Sequence, residues 1–343
     1  MNNAHGASAD PVERGYHALR TTALQVDFSH RSRGLFHGPR AGEVLNGLVS
    51  NEVAALVPGH GTYAVALTPK GKIIADLRIF RREDDVLVDV AASAGAGWWS
   101  MVRKYVNPRL SRHEDISAAT RALGIFGPAA EGILEKLGGV PLGDLPRYGH
   151  RAVMMAEAAV TIARVPDAGV PGFMVYMPEA SRDGVAAAWL AAGALPGEIA
   201  SFDIARVESG RPEWGIDMDD TTLTQEAGMD DLGAISYTKG CYTGQETVAR
   251  VHFRGHVNRL LRGVTFVDGA VVPRATPLRR DDGTVCGEVR SVVLSPRAGR
   301  IGLAMVRREV EPGASLFAHA EGAESGVPVI VTALPFGSDG HAA

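Results

Sequence analysis

Near Asn258 the chain changes its punctuation, and that change limits the folds open to it. Beyond this point short apolar stretches are broken by Val271-Val272-Pro273, Asp282-Gly283 and Glu311-Pro312-Gly313, the pattern of brief strands joined by turns. Such a run predicts a small closed β-barrel, since closure leaves no strand edge unpaired. Ahead of it, strand-like and helix-like stretches alternate without the regular rhythm of a doubly wound sheet. Ala41, Val44, Leu45, Leu48 and Val49 fall at i, i+3, i+4, i+7 and i+8, one face of a helix that stops near Asn51. Residues 63–67 and 73–80 flank Thr68-Pro69-Lys70-Gly71 as a hairpin, with Ala75, Leu77 and Ile79 on one face of the second strand and Asp76 and Arg78 on the other. Further strands are expected at 86–92, 153–155, 160–165 and 173–177. Helices are expected at 98–105, between Gly127-Pro128 and Gly138-Gly139, and at 182–192 before Gly193. The expectation is an α+β protein. Residues 15–255 form two α+β subdomains with segment exchange between them, 256–335 form the barrel, and 1–14 and 336–343 are flexible tails.

At 343 residues the chain exceeds what one hydrophobic core supports, in keeping with more than one unit. Apolar residues at 45% and charged residues at 22% are those of an ordinary soluble globular protein. A net charge of -4 speaks against a nucleic-acid surface covering the whole chain. Cys241 and Cys286 are too few for a secreted disulfide framework or a four-thiolate iron-sulfur site, so no stably bound cluster is expected. The N-terminus lacks a basic region followed by an apolar core, and no run of about 18 apolar residues occurs. The sequence therefore predicts a cytoplasmic protein without a membrane partner. Gly59-x-Gly61-x-x-Ala64 runs into a strand, and Gly95-x-Gly97-x-x-Ser100 lacks a third glycine, so no dinucleotide site is expected.

The densest chemistry lies in Lys239-Gly240-Cys241-Tyr242-Thr243-Gly244-Gln245-Glu246. Thr243 and Glu246 have capping-box spacing, which predicts a helix beginning near Gly244. Cys241 then stands just ahead of that helix, where the macrodipole and the Lys239 ammonium both favour negative charge on sulfur. The competing reading is an inert thiol before an ordinary helix. Five lysines accompany thirty arginines, and Lys239 is the only lysine after Lys136, so this position calls for an ammonium rather than a guanidinium.

This octapeptide, continued by Thr247-Val248-Ala249-Arg250 and Phe253-Arg254-Gly255, resembles the motif of the folate-binding YgfZ proteins. Those are relatives of the glycine-cleavage T-protein, an aminomethyltransferase, and act in iron-sulfur cluster assembly or repair. The resemblance extends over residues 20–335, with Asp27-Phe28-Ser29-His30 similar to an opening Asp-x-Ser-His. It implies an aminomethyltransferase-like folate-binding fold ending in a β-barrel, tetrahydrofolate or a derivative as ligand, and iron-sulfur enzymes or assembly factors as partners. It also implies a working thiol at Cys241 with Lys239, and Tyr242, Gln245 and Arg254 on the folate side. Gly71 to Leu77 resembles the stretch where transferases carry an Asp-Asp pair, one member of which positions folate; here the residues are Ala75 and Asp76. The loss of one carboxylate speaks against transfer, which needs a placed acid. Asp76 is then either a folate ligand or a strand residue paired with Arg78. Pro171 to Tyr176 is similar to a transferase segment whose carboxylates are absent here. Ala205-Arg206-Val207-Glu208-Ser209-Gly210 resembles Leu-Arg-x-Glu-x-Gly, whose Glu accepts hydrogen bonds from the pterin. That implies Glu208 as the pterin ligand with Arg206 beside it, the competing reading being a Glu208 paired with Arg206 or Arg211.

Two charge runs complete the picture. Residues 213–231 hold seven acids and no base, the pattern of a solvated loop. Arg250, His252, Arg254, His256, Arg259 and Arg262 have no acid among them and suit folate's glutamate tail, an RNA backbone, or plain solvation. His252 and His256 invite a zinc reading, yet neither cysteine has a second ligand at short spacing, so no metal is expected. The function expected is that of a folate-binding accessory protein for iron-sulfur proteins rather than a classical enzyme. The alternatives are tetrahydrofolate-dependent aminomethyl or methyl transfer and a tRNA-linked RNA-binding module.

Overall fold

The computed structural model describes residues 10–267, 270–320 and 325–337. It opens with α1 (Pro11–Thr21), whose Asp10 cap accepts a hydrogen bond from the Val12 amide while Pro11 occupies the first turn. Residues 11–14 therefore belong to a helix rather than to a tail, and the helix buries Tyr16, Ala18 and Leu19; residues 1–9 lie outside the described residues.

After β1 (Leu24–Asp27) the chain leaves that strand and builds a separate sheet. β2 (Ser32–His37), β3 (His60–Leu67), β4 (Ile73–Arg81), β5 (Asp85–Val90) and β6 (Arg112–Asp115) form an antiparallel sheet in the order β3-β4-β5-β2-β6. Only then does the chain return beside β1. β7 (Thr120–Phe126), β8 (His150–Met155), β9 (Ala158–Arg164), β10 (Gly172–Pro178) and β11 (Leu195–Pro196) complete a six-stranded sheet in the order β11-β1-β7-β10-β9-β8, with β1 parallel to β11 and antiparallel to β7.

The alternation in β4 explains how the two sheets pack. Ala75, Leu77 and Ile79 enter an outer core with Leu45 of α2 (Ala41–Asn46) and Trp98 and Val102 of α3 (Gly95–Tyr105). The opposite face of the same sheet supplies Tyr63, Val65 and Phe80 to an inner core shared with Val26, Met174 and Tyr176 of the six-stranded sheet. The far side of that second sheet is covered by α4 (Ala130–Gly138) and α5 (Arg182–Ala191), which bury Leu134, Val185 and Trp189. The result is four layers, helix, sheet, sheet, helix, in which strands of both sheets are covered on both faces. α4 ends as expected on glycine, with Gly139 left-handed at φ +66°.

α6 (Ile199–Glu208) packs on α1 and joins this body to the barrel, with Val207 in a small core against Leu261, Ile301, Leu303 and Met305. An irregular connection leads from Ser209 to α7 (Gln245–Arg254). The barrel is closed, as the turn pattern predicts: β12 (Arg259–Phe266), β13 (Pro277–Arg279), β14 (Val285–Ser295), β15 (Gly299–Arg307), β16 (Ser315–Ala318) and β17 (Val327–Thr332) run in the order β12-β15-β14-β13-β16-β17, and β17 pairs with β12. Phe336, expected in a flexible tail, packs against the small core of α6, and residues 338–343 lie outside the described residues.

The acidic run is not a solvated loop. Asp217 is wholly buried and accepts from the Arg206 guanidinium at 2.7 Å, the Ser291 hydroxyl at 2.5 Å and the Glu213 amide at 2.9 Å. Asp219 pairs with Arg290 at 3.2 Å and Glu226 with Arg259 at 2.9 Å. Because Ser291, Arg290 and Arg259 belong to barrel strands, the run clasps the barrel to the body; composition signalled solvation because it counts charges without their distant partners.

Candidate functional site

Between the two sheets the inner core becomes polar. Asp89 on β5 is fully buried and accepts from Arg31 at 2.6 Å, Arg78 at 2.8 Å and the Tyr176 hydroxyl at 2.6 Å. Burial acts to raise its pKa, but the Arg31 and Arg78 charges outweigh that and hold it at about 2. Asp167, also buried, accepts from Arg78 at 2.6 Å and pairs with Arg211 at 3.1 Å. The Arg211 guanidinium lies 4.4 Å over the Tyr63 ring, which stacks on Tyr148 with centroids 5.9 Å apart, and it donates to the Tyr148 hydroxyl at 3.3 Å. The cluster combines β4 and β5 with the loops that follow β1, β9 and α6.

Asp76 sits in this cluster with an uneven environment. Its Oδ2 accepts from the Tyr63 hydroxyl at 2.9 Å, while Oδ1 is buried with no hydrogen-bond partner among the described residues. Arg78, the partner that the sequence offered for Asp76, is engaged by Asp89 and Asp167 instead. Ala75 points the other way, into the outer core at 0% exposure, so a carboxylate there would face apolar side chains rather than this cluster. Arg211 Nη1 and Arg78 Nε are likewise buried without partners. Buried polar atoms left in this state are costly, and a ligand, an ion or a water can satisfy them.

Sequence reasoning missed most of the cluster, namely Arg31, Tyr63, Asp89, Tyr148, Asp167, Arg211 and Glu213. The available signals were the position of Arg31 directly after the Asp27-Phe28-Ser29-His30 turn and of Arg211 three residues after Glu208. Asp27 shapes that turn by accepting the Ser29 amide at 2.8 Å. Glu213 is held 3.9 Å from Arg31 with about a third of its side chain exposed (34%). Burial raises its pKa; the Arg31 charge opposes the rise and the Asp76 charge adds to it.

Glu208 lies at the end of α6 beside the barrel. Its Oε1 accepts from the Tyr16 hydroxyl at 2.7 Å and the Ser295 hydroxyl at 2.5 Å, and its Oε2 is paired with Arg20. Neither Arg206 nor Arg211 is its partner in these contacts. It borders a cavity of about 460 Å³ with Arg20, Arg297 and Phe336 along its wall. Arg206, at 3% exposure, is committed to Asp203, Asp217, the Ser291 hydroxyl and the Arg211 carbonyl, which it reaches at 2.8 Å. It thereby fixes the turn that aims Arg211 and Glu213.

The octapeptide differs in detail from the sequence reading. The helix begins at Gln245, as expected, but Gly244 precedes it in a left-handed conformation at φ +85° and no side-chain cap is made, so the Thr243 and Glu246 capping box does not form. The Thr243 amide instead donates to the Gly47 carbonyl at 3.2 Å. The Lys239 ammonium is not placed beside the thiol: it donates to the carbonyls of Asn46, Val49 and Asn51 at 2.7, 2.7 and 2.8 Å. All three of its donors are used, and its charge also lies 5.0 Å over the Tyr242 ring. Burial pushes its pKa down to about 8, with the Glu52 charge acting the other way. Tyr242 is buried in the same inner core as Tyr63 and Tyr148, and burial raises its hydroxyl to about 12. Cys241 is exposed, Gln245 half-buried, and Arg254 exposed at the end of α7. The basic run divides, since Arg259 pairs with Glu226 while Arg250, His252, Arg254 and His256 remain exposed.

A family model described as the GCVT N-terminal domain matches residues 4–236. An aminomethyltransferase of Thermosynechococcus vestitus is 29% identical over 328 residues, covering 94% of this chain and 86% of its own. One from Bacteroides fragilis is 30% identical over 292 residues, covering 82% and 80%. The crystal structure of glycine cleavage system aminomethyltransferase T from Bartonella henselae superposes with a TM-score of 0.84 at 21% identity, covering 95% of this chain and 89% of that one, which establishes the shared fold. With the family model spanning well over half of the sequence and the mixed α+β body and closed barrel reproduced, the chain belongs to the GCVT N-terminal domain family of aminomethyltransferase-like proteins.

Proposed function

We propose that this chain binds tetrahydrofolate, or a one-carbon derivative of it, in the polar cluster between the two sheets and takes part in aminomethyl or methyl transfer. The observation that carries the reading is Asp76, whose buried Oδ1 has no partner among the described residues. A reduced pterin presents N–H donors that such an oxygen can accept, and the unpartnered Arg211 Nη1 can donate to a pterin carbonyl. When bound, the folate supplies the nitrogen that carries the one-carbon unit. Asp76 would accept from the ligand, and the Tyr63 hydroxyl, itself braced by Arg211 over its ring, would hold that carboxylate in place. The missing second carboxylate does not weigh against transfer, because Ala75 faces the outer core. Relatives aligned over most of this chain carry the name aminomethyltransferase, which supports the same reading.

Calorimetry with tetrahydrofolate tests the site. Asp76→Asn should weaken binding about tenfold or more, the scale of one lost hydrogen bond to a charged group. Equal affinity in wild type and variant would remove Asp76 from the site. Glu208→Ala, measured alongside, assigns or removes the pterin role implied by resemblance; because Glu208 already serves Tyr16, Ser295 and Arg20, its loss should also lower the melting temperature.

A second reading rests on a different observation, the exposed Cys241 in a segment whose ends are fixed by Lys239 and Gly244. A thiol held out on a rigid frame suits an accessory role in iron-sulfur cluster assembly or repair, with folate bound nearby. Replacing Cys241 by Ala in cells and assaying iron-sulfur enzymes checks it, and full activity in the variant would end that reading. Assaying purified protein with an amine donor and tetrahydrofolate separates the two.

A further inference from the structure

The two sheets are stitched together at Gly59, whose amide donates to the Arg81 carbonyl at 3.0 Å and whose carbonyl accepts from the His150 amide at 2.8 Å. A Cβ at Gly61 would lie 2.4 Å from the Tyr148 carbonyl, so glycine is what lets these segments approach so closely. Beside the stitch a cavity of about 500 Å³ opens between the start of β3, the β4–β5 turn, the loop before β8, and strands β8 and β9. Its size falls within the range of about 300–1,000 Å³ typical of small-molecule sites. Phe80 closes it off from the polar cluster, its ring lying 5.7 Å from that of His150 and 5.6 Å from that of Tyr176.

The lining is polar, and its arginines are already neutralised. Arg82 is held by Asp85 through two hydrogen bonds of 2.6 Å, and Arg151 by Asp144 at 3.0 Å. His150 is 5% exposed, and its Nδ1 is buried without a partner among the described residues. Desolvation, with the Arg82 charge acting the same way, holds its pKa at about 4, so the ring is neutral near pH 7. In either tautomer a hydroxyl group satisfies that nitrogen, donating to it when bare and accepting from it when protonated. The broad χ2 well of histidine lets the ring turn this nitrogen to the cavity. Thr161, buried on β9, adds a hydroxyl group to the same lining. On the β4–β5 turn Glu83 is exposed and forms no ion pair among the described residues, so it repels anions and can accept from hydroxyl groups. Pro58, Leu145 and Pro146 supply the apolar part of the lining.

We propose that this cavity is a binding site for a neutral polyhydroxylated small molecule, a monosaccharide or a polyol. Hydroxyl groups of the ligand bond to His150 Nδ1, Thr161 and the Glu83 carboxylate, and Arg82 and Arg151 offer their remaining N–H groups to its oxygens. Its C–H face lies against Leu145 and the two prolines. Binding is non-covalent, and the site stands or falls independently of the folate reading.

The test is nuclear magnetic resonance of the full, nitrogen-labelled chain, following the His150 ring nitrogens and the Gly59 amide. Glucose, galactose, ribose and sorbitol are added in turn, with acetate and phosphate as anionic controls. At least one of the hydroxylated probes should shift the His150 ring signals with a Kd in the millimolar range. Glu83→Ala, at an exposed turn position, should weaken that binding about three- to tenfold, the scale of one net hydrogen bond, and His150→Phe should abolish it. Should His150→Phe not fold, Thr161→Val, which keeps the side-chain volume, takes its place with the same several-fold loss expected. No shift at His150 with any hydroxylated probe would overturn the proposal. Equal affinity in wild type and variants would overturn it too, as would a shift caused by the anions and not by the sugars or sorbitol.

Discussion

A lysine ammonium enclosed by three backbone carbonyls works as an internal cap. The carbonyls of Asn46, Val49 and Asn51 close the end of α2 and its following loop, and Lys239 satisfies all of them from 188 to 193 residues further along the chain. Lys239→Arg cannot place a planar fork into that nest and should destabilise the protein by about 2–4 kcal/mol in urea unfolding, as should Lys239→Met; a loss below about 1 kcal/mol would show that the clamp is dispensable. The sequence made this residue conspicuous, as the sole lysine after Lys136, yet gave no hint of its partners, because carbonyl groups leave no mark in residue type. Asp76 is a parallel case: strand alternation assigned its face correctly, but not that Arg78 would be taken by Asp89 and Asp167. His150 permits a pH prediction. It is buried and held near a pKa of about 4, chiefly by desolvation, against 6.5 when free. The unfolded chain then binds its proton first, so stability present above the free value is lost as pH falls toward about 4, by about 3 kcal/mol. His150→Phe should flatten that part of the melting profile, and an unchanged slope would count against a buried neutral imidazole.

Elements with strong local signals were readable, and those defined by remote partners were not. The β3–β4 hairpin around Thr68 to Gly71, α4 with its terminal glycine and the barrel strands all carry turn residues that act within a few positions. β1 and β6 are four residues each and depend on sheet neighbours from elsewhere in the chain, so nothing in their own composition announces them. The start of α7 shows the same limit at finer grain: the helix was placed correctly, while its entry uses a left-handed Gly244 instead of the capping box. A Cβ at Gly244 would lie 2.6 Å from the Thr68 carbonyl, so Gly244→Ala should cost about 1–3 kcal/mol and disturb the Cys241 segment, measurable as altered thiol labelling together with a lower melting temperature. In the acidic connection, Asp217→Ala leaves Arg206 buried without its main partner and should cost about 3–5 kcal/mol. Limited proteolysis should then cut the variant between residues 211 and 231 faster than it cuts the wild type.

At the scale of the whole molecule, body and barrel are joined by α6, by the acidic clasp and by the packing of Leu334 and Phe336 near Val207. A chain ending at residue 255 would uncover this apolar patch and leave Asp219 and Glu226 without their arginines. It should lose cooperative melting and aggregate, and a soluble, sharply melting fragment would show that the body is independent. The route of the chain through its two sheets carries one more consequence, for the order in which the molecule is made. β2 to β6 come from continuous sequence and can pair as soon as they leave the ribosome, whereas β1 must wait for β7, some hundred residues later, before its first ladder forms. During synthesis, Leu24 and Val26 are therefore an apolar edge without a strand partner, and the early helix α1 and the inner face of the β2–β6 sheet, with Tyr63, Val65 and Phe80, are the neighbouring structures able to shield them.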